Sequence, residues 1–206
     1  MNRNPNRQTE ALNYLEEKYG ETFTYVESTG SGYATPGVQK MFVQCDALEG
    51  QILVQVTEED SGYSIADNYF AVKYRSDMEA KLLDMTNEIF QTAFVSCVVQ
   101  PTASSVDLPA DGTFAQYYPV AYGAYSISIA VEADTFDPAK ADVWAQALQS
   151  DSIYGQLRFL VADEAALSPL TSELDFDQLL QQKSYQYFNV ITIGAQKITM
   201  REWGGT

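Results

Sequence analysis

Apolar residues recur at helical spacing in one long stretch of the chain and alternate with polar residues in several shorter ones. In the long stretch the apolar positions lie three or four residues apart, so they would share one face of a helix. They are Phe70, Tyr74, Met78, Leu82, Met85 and Ile89, with Leu83 and Phe90 beside them. This stretch predicts the longest helix of the chain, against which the first half of the protein would pack.

The start of this helix has two interpretations. Asp67 could be the N-cap of a helix over about residues 68–91. Alternatively, Ser76 and Glu79 form an S-x-x-E capping box, which would leave 68–75 as a strand. The regular spacing favours the earlier start because it already includes two aromatic residues that precede Ser76.

The rest of the pattern predicts three further helices and a set of strands. The helices are expected at about 6–19, 138–149 and 173–182, and each begins near a capping residue or a proline. Alternation predicts strands at about 22–28, 38–46, 51–57, from Tyr63 to Ile65, 125–131, 153–162 and 185–193, with Ile198 and Met200 continuing after a bend. The nearly continuous apolar run at 93–99 predicts a strand at the centre of its sheet.

The predicted elements follow the order α-β-β-β-α-β and then β-α-β-α-β. Strands joined by hairpin turns, with about four helices, predict an α+β fold with a mostly antiparallel sheet. The second half alone also fits parallel βαβ units. We expect lobes at 1–100 and 117–206, connected by 101–116, which is rich in proline, serine and turn residues; one continuous domain is the alternative.

The charge of the chain is strongly negative. Its 206 residues carry 12 Lys and Arg against 28 Asp and Glu, a net charge of −16 that is shared equally by the two halves. Such a surface repels phosphate backbones and anionic lipid headgroups, which argues against nucleic acid and peripheral membrane binding. Solubility is the simplest use of this charge; cations and basic peptides are the partners it would attract.

The chain contains no histidine and two cysteines, Cys45 and Cys97. Catalysis by Ser-His-Asp or Cys-His groups and histidine-ligated zinc are therefore excluded. Each cysteine shares a strand face with apolar neighbours, which predicts buried, unpaired thiols. In an exported protein the two could instead form a disulfide. No metal site, cofactor or catalytic residue is predicted.

Two segments resemble a broad group of uncharacterised exported or lipoprotein-like proteins of Gram-positive gut bacteria. They are 14–23, Tyr-Leu-Glu-Glu-Lys-Tyr-Gly-Glu-Thr-Phe, and 67–70, Asp-Asn-Tyr-Phe. In that group a similar helix-to-strand segment precedes an Asp-Asn-Tyr that opens a long helix. The resemblance covers about residues 1–95 and implies an extracytoplasmic location. The polar start of the chain is not an intact signal peptide, but it would suit a mature region behind a removed leader.

Several acidic residues are candidates for cation binding or acid–base chemistry. Asp67 and Asn68 could bind a cation or Asp67 could act as a base, but a helix N-cap explains Asp67 completely and is the favoured interpretation. The acidic run at 58–60 lacks the spacing of a calcium loop and is read as a solvated turn. Glu132 and Asp134, near Asp137, could pair for acid–base or glycoside chemistry if the fold brings them together.

The strongest candidates for binding are tyrosines that precede the second half. Tyr117, Tyr118, Tyr122 and Tyr125 lie close together in the sequence, and tyrosine is enriched where proteins bind one another. A structural interpretation is favoured over binding: these side chains would cover the boundary between the two lobes.

We therefore expect a non-enzymatic binding or interaction domain of an exported or surface-tethered bacterial protein. Its partner would be a protein or a small-molecule ligand, and no transmembrane segment is predicted because no apolar run is long enough. The alternative is a cytoplasmic protein with an enzymatic activity based on carboxylates and tyrosines.

Overall fold

The computed structural model describes residues 5–29, 36–103, 106 and 108–200. Part of the predicted 101–116 connection lies outside these ranges. The chain has an α+β fold, as predicted. Its helices are α1 (Pro5–Tyr19), α2 (Tyr69–Lys73), α3 (Arg75–Asn87), α4 (Phe114–Tyr117), α5 (Pro138–Ser150), α6 (Glu164–Leu167) and α7 (Glu173–Gln182). Its strands are β1 (Thr24–Ser28), β2 (Val38–Gln44), β3 (Ile52–Glu59), β4 (Gly62–Asp67), β5 (Thr92–Val99), β6 (Tyr125–Glu132), β7 (Gly155–Ala162), β8 (Tyr187–Ile193) and β9 (Ile198–Thr199).

The chain divides into two compact units, and the second is interrupted by part of the first. Unit 1 comprises Met1–Tyr74 and Pro101–Tyr117, and unit 2 comprises Arg75–Gln100 and Tyr118–Thr206. These units differ from the lobes expected at 1–100 and 117–206. Residues 75–100 join the second unit, and the expected connection joins the first.

Unit 1 is an antiparallel meander that packs against α1 and α2. Its strands pair in the order β1-β2-β3-β4, and the register places Met41 opposite Val54 and Val43 opposite Ile52. These four side chains are fully buried, because successive residues of a strand alternate between the two faces of the sheet. Leu15 of α1 is equally buried.

Unit 2 contains a five-stranded sheet in the order β5-β6-β7-β8-β9, with helices on both faces. On one face, the rings of Trp144 in α5 and Phe159 in β7 lie 5.1 Å apart, and the Trp144 indole N–H donates to Thr86 Oγ1 of α3 at 3.2 Å. On the other face, Leu160 packs in a buried cluster with Phe176 of α7.

One pair of strands in unit 2 is parallel. β6 and β7 run side by side with Ile127 opposite Leu157, and α5 connects them. The other pairs of the sheet are antiparallel. The second half therefore contains one βαβ unit in a mostly antiparallel sheet.

The predicted long helix is two helices, and the first begins at Tyr69, within one residue of the earlier predicted start, with Asn68 and not Asp67 as its N-cap. Asp67 ends β4, and 68–75 is not a strand, because α2 runs to Lys73 and α3 begins at Arg75. Between them Tyr74 has φ −105° and ψ 16°. The Tyr74 hydroxyl donates to the carbonyl oxygen of Gly112, and its ring packs on Tyr117 with centroids 5.6 Å apart. These contacts within unit 1 favour a turn where the sequence spacing favours a helix.

The strand predicted at the centre of its sheet lies at an edge. Within the part of the chain that the structure describes, β5 pairs only with β6, and its Cys97 N–H donates to Glu79 Oε1 of α3 at 2.8 Å. On the other face of the strand, Phe94 stacks on Phe176 of α7 with ring centroids 6.0 Å apart. The apolar character of β5 thus reflects the packing of helices on both of its faces. In the described residues no helix combines the length and the apolar character needed to cross a membrane.

Candidate functional site

A recess of about 340 Å³, which we call the α6–α7 groove, lies in unit 2. It is lined by Ala166, Pro169, Leu170, Asp175, Gln178, Leu179, Gln182 and Ser184. Its floor is apolar, and two of the floor leucines, Leu170 and Leu179, belong to the buried cluster on this face of the sheet. The groove therefore combines an apolar floor with a rim of amide and hydroxyl groups.

The α7 wall of the groove follows from helical spacing. Asp175, Gln178, Leu179 and Gln182 stand at positions i, i+3, i+4 and i+7 and so form one stripe. Leu179 is buried, whereas the two glutamines are exposed. The stripe thus offers amide groups, each with donors and an acceptor, beside an apolar surface.

The start of α7 is fixed by a network of hydrogen bonds around Asp175. Ser172 is the N-cap, and its Oγ accepts from the Asp175 N–H at 3.3 Å. Asp175 Oδ2 in turn accepts from Ser172 Oγ at 2.8 Å and from the Thr171 N–H and hydroxyl, each at 3.0 Å. The bond from Ser172, followed by those from Thr171, lowers the pKa of the Asp175 carboxyl because hydrogen bonds to a carboxylate stabilise its charged form.

A second recess, of about 250 Å³, is lined by four carboxylate residues. They are Glu132, Asp134, Asp163 and Glu164, with Ala133 and Ala165 completing the lining. We call it the acidic recess. Among the described ion pairs, none involves these four residues; Asp163 Oδ1 accepts from Gln186 Nε2 at 2.6 Å.

The parallel pair of strands explains why these carboxylates meet. Glu132 is the last residue of β6 and pairs with Ala162, the last residue of β7. The carboxyl ends of parallel strands lie at the same sheet edge, where ligands of open α/β sheets usually bind. Asp134 follows in a short 3₁₀ turn, and Asp163 and Glu164 begin α6.

The linings of the two recesses adjoin on α6. Residues 163–165 line the acidic recess, whereas Ala166 and the residues after it line the groove. In the described ranges, no group of three or more carboxylates or cysteines could hold a metal ion.

The four predicted binding tyrosines differ in exposure and belong to both units. Tyr117 is buried in unit 1 and Tyr125 is buried in unit 2. Tyr118 is half-buried, and its hydroxyl donates to Asp151 Oδ1 at 3.3 Å. Tyr122 is 66% exposed. Only Tyr122 therefore offers most of its side chain to a partner.

The buried Asp67 accepts hydrogen bonds from several donors inside unit 1. Its Oδ1 accepts from the Tyr19 hydroxyl at 2.7 Å and the Tyr69 N–H at 3.0 Å, and its Oδ2 accepts from Lys18 Nζ at 3.1 Å. Asn68 Oδ1 accepts the Leu53 N–H at 2.7 Å. Burial, followed by the charge of Asp67, raises the pKa of Tyr19. Both candidates for cation binding thus hold backbone and side chains in place.

The remaining candidate residues, Asp137 and the two cysteines, have structural roles. Asp137 caps α5, because its Oδ1 accepts the Ala139 N–H at 2.9 Å. Both cysteines are buried and unpaired, as predicted. Burial, followed by a hydrogen bond to Glu21, raises the pKa of the Cys45 thiol to about 11, and burial likewise raises the pKa of Cys97. Both thiols are therefore held in their unreactive, protonated form.

Sequence reasoning missed the groove and half of the acidic recess. A mixed stripe of amides and leucine on α7 gives no recognisable pattern, and the groove depends on the turn from Ser168 to Leu170. A signal for the recess was present in Asp163-Glu164, which directly follow an apolar strand.

Comparison with protein-family models, with curated proteins and with solved structures gives no significant match.

Proposed function

We propose that the chain is a non-enzymatic binding domain of an exported or surface-tethered bacterial protein, and that its ligand occupies the α6–α7 groove. The volume of the groove carries this proposal. At about 340 Å³ it falls within the size range of ligand sites, which are mostly apolar with a few placed polar groups. The leucine floor and the exposed amides of Gln178 and Gln182 match that description.

The raised pKa values of the two thiols also support binding over catalysis. A nucleophilic cysteine needs a lowered pKa, whereas burial raises the pKa values of Cys45 and Cys97. The cysteines therefore contribute to packing.

The binding proposal is tested by filling the groove. Gln178→Trp places a large side chain at the rim, and Gln181→Trp makes the same exchange at an exposed position outside the lining. We expect ligands found by NMR screening to shift the side-chain amide signals of Gln178 and Gln182. We also expect their affinity to fall in the first variant only. Ligands that bind both variants equally well would place the site elsewhere.

The location is tested on the native protein. We expect it in the envelope or secreted fraction, processed from a precursor with a hydrophobic leader. A native protein that starts at Met1 and is found in the cytoplasm would contradict this part of the proposal.

One observation favours the alternative, a carboxylate-based enzyme. The acidic recess brings the predicted pair Glu132 and Asp134 together with Asp163 and Glu164. Most glycoside hydrolases use two carboxylate residues that flank the glycosidic bond to be cleaved. Turnover of a glycoside that disappears in Glu132→Gln, with folding retained, would favour the enzyme over the binding domain.

A further inference from the structure

We infer that the partner of the α6–α7 groove is an extended basic peptide segment. An apolar side chain of the segment enters the groove, and a lysine or arginine side chain next to it reaches the acidic recess. This inference rests on the proposed binding function and specifies the chemical class of its ligand.

The spacing of the two recesses suits an extended chain. Their linings adjoin on α6, because Ala165 lines the acidic recess and the next residue, Ala166, lines the groove. In an extended peptide, residues i and i+2 point to the same side about 6.6 Å apart. One peptide can therefore place two neighbouring same-side residues in the two recesses.

The negative charge of this region favours a positively charged partner. Unit 2 carries 7 Lys and Arg against 15 Asp and Glu. The lining of the groove and the acidic recess includes five carboxylates and no basic side chain. Lysine and especially arginine form charge-assisted hydrogen bonds with carboxylates, whereas an acidic peptide would be repelled.

The groove itself argues for a peptide over a bare cation. Its leucine floor offers nothing to an ion, and no group of the described carboxylates could hold a metal. Gln178 and Gln182 present amide donors and acceptors at the rim, and these can pair with the main-chain groups of an extended segment.

The test is fluorescence anisotropy with labelled octapeptides of alternating residues. Serine occupies every second position of each probe, so that the residues between the serines point to one side of the extended chain. These residues alternate lysine and leucine in the basic probe, glutamate and leucine in the acidic probe, lysine and serine in the non-apolar probe, and serine and leucine in the neutral probe. We expect the lysine–leucine peptide to bind most tightly and its affinity to fall as salt is raised.

Two pairs of variants locate the binding. Asp134→Asn with Glu164→Gln neutralises the acidic recess, and Asp142→Asn with Glu88→Gln removes the same charge from exposed positions on α5 and after α3. We expect an affinity loss of about tenfold in the first pair, which lies within the range for two exposed ion pairs. The second pair should change the affinity less than twofold. Gln178→Lys should weaken binding more than Gln181→Lys.

The outcomes separate the inference from the proposed function. Equal losses in both charge-matched pairs, or equal binding of the lysine–serine probe, would show unspecific attraction and overturn the inference. Tightest binding of the neutral or acidic probe, lost in Gln178→Trp, would also overturn it while leaving the groove as the ligand site. Failure of every probe to depend on Gln178 would count against the groove and the inference together. Unchanged circular dichroism confirms that each variant is folded.

Discussion

At the scale of single residues, the interior of unit 1 contains an acidic group that only its neighbours make tolerable. Asp67 is 3% exposed, and burying a charge is costly unless it is paired and hydrogen bonded. The Tyr19 hydroxyl and Lys18 Nζ supply that compensation. The sequence indicated that Asp67 had a structural role, but the donors come from α1, almost fifty residues earlier, and no local pattern names them.

Tyr19→Phe removes the donor and keeps the ring. We expect it to lower the free energy of unfolding by about 1.5–3 kcal/mol, the usual worth of a hydrogen bond to a charged group. The measurement is a urea melt. Tyr122→Phe deletes the same hydroxyl from a largely exposed ring and should change little. Equal effects in the two variants would contradict the role assigned to the Tyr19 hydroxyl.

Asp175 gives the pH dependence of the α7 cap. Because its folded-state pKa lies below the ordinary value of 3.8, the cap is at full strength above about pH 4 and weakens as the pH falls through the lowered pKa. Carboxyl-carbon NMR should show a midpoint below 3.8 that moves upward in Ser172→Ala. A midpoint at or above 3.8 in the unaltered protein would show that these hydroxyl bonds do not form in solution.

At the scale of elements, the sequence was informative where a helix has its own start signal. Asp137 before Pro138 and Ser172 before Glu173 marked α5 and α7 correctly. The spacing of apolar residues was misleading at Tyr74. It predicts one continuous helix, whereas the contacts of the Tyr74 ring favour a turn at this residue. Sheet position was also hidden, since an apolar strand such as β5 can be covered by a helix or by another strand.

The two adjacent leucines of α3 test whether its apolar stripe is a core face. Leu82 is fully buried, whereas Leu83 is 37% exposed. We expect Leu82→Ala to cost about 2–5 kcal/mol of unfolding free energy, as buried leucines generally do, and Leu83→Ala to cost clearly less. Urea melts followed by the fluorescence of Trp144 report on the same unit. Similar small costs at both positions would show that the stripe does not face the core.

At the scale of the whole molecule, the uniform negative charge sets the solution behaviour. With a net charge of −16 the chain repels copies of itself, and proteins lose solubility where their net charge approaches zero. We therefore expect minimal solubility near pH 4.1, the isoelectric point. Static light scattering across a pH series at matched ionic strength measures this. A minimum near neutral pH would indicate that local patches, and not the net charge, govern association.

The candidate site could be predicted only in part, because it depends on how distant segments of the chain pair. Glu132 and Asp134 were suspected from their proximity in sequence. Their meeting with Asp163 and Glu164 depends on the parallel pairing of β6 and β7, which joins residues about thirty positions apart. Alternating strands and helices suggested such pairing without fixing which strands pair.

The interrupted path of the chain has a consequence for biosynthesis. Unit 1 includes Pro101–Tyr117, and Tyr74 packs on Phe114 and Tyr117 of that segment. Domains tend to fold as units while the ribosome extends the chain from its N-terminus. Unit 1 must therefore wait until α3 and β5 of the other unit have also been synthesised. For the same reason, unit 1 cannot be isolated by shortening the chain at one end. A fragment that ends at residue 100 would expose this aromatic surface to water, and we expect it to be unstable.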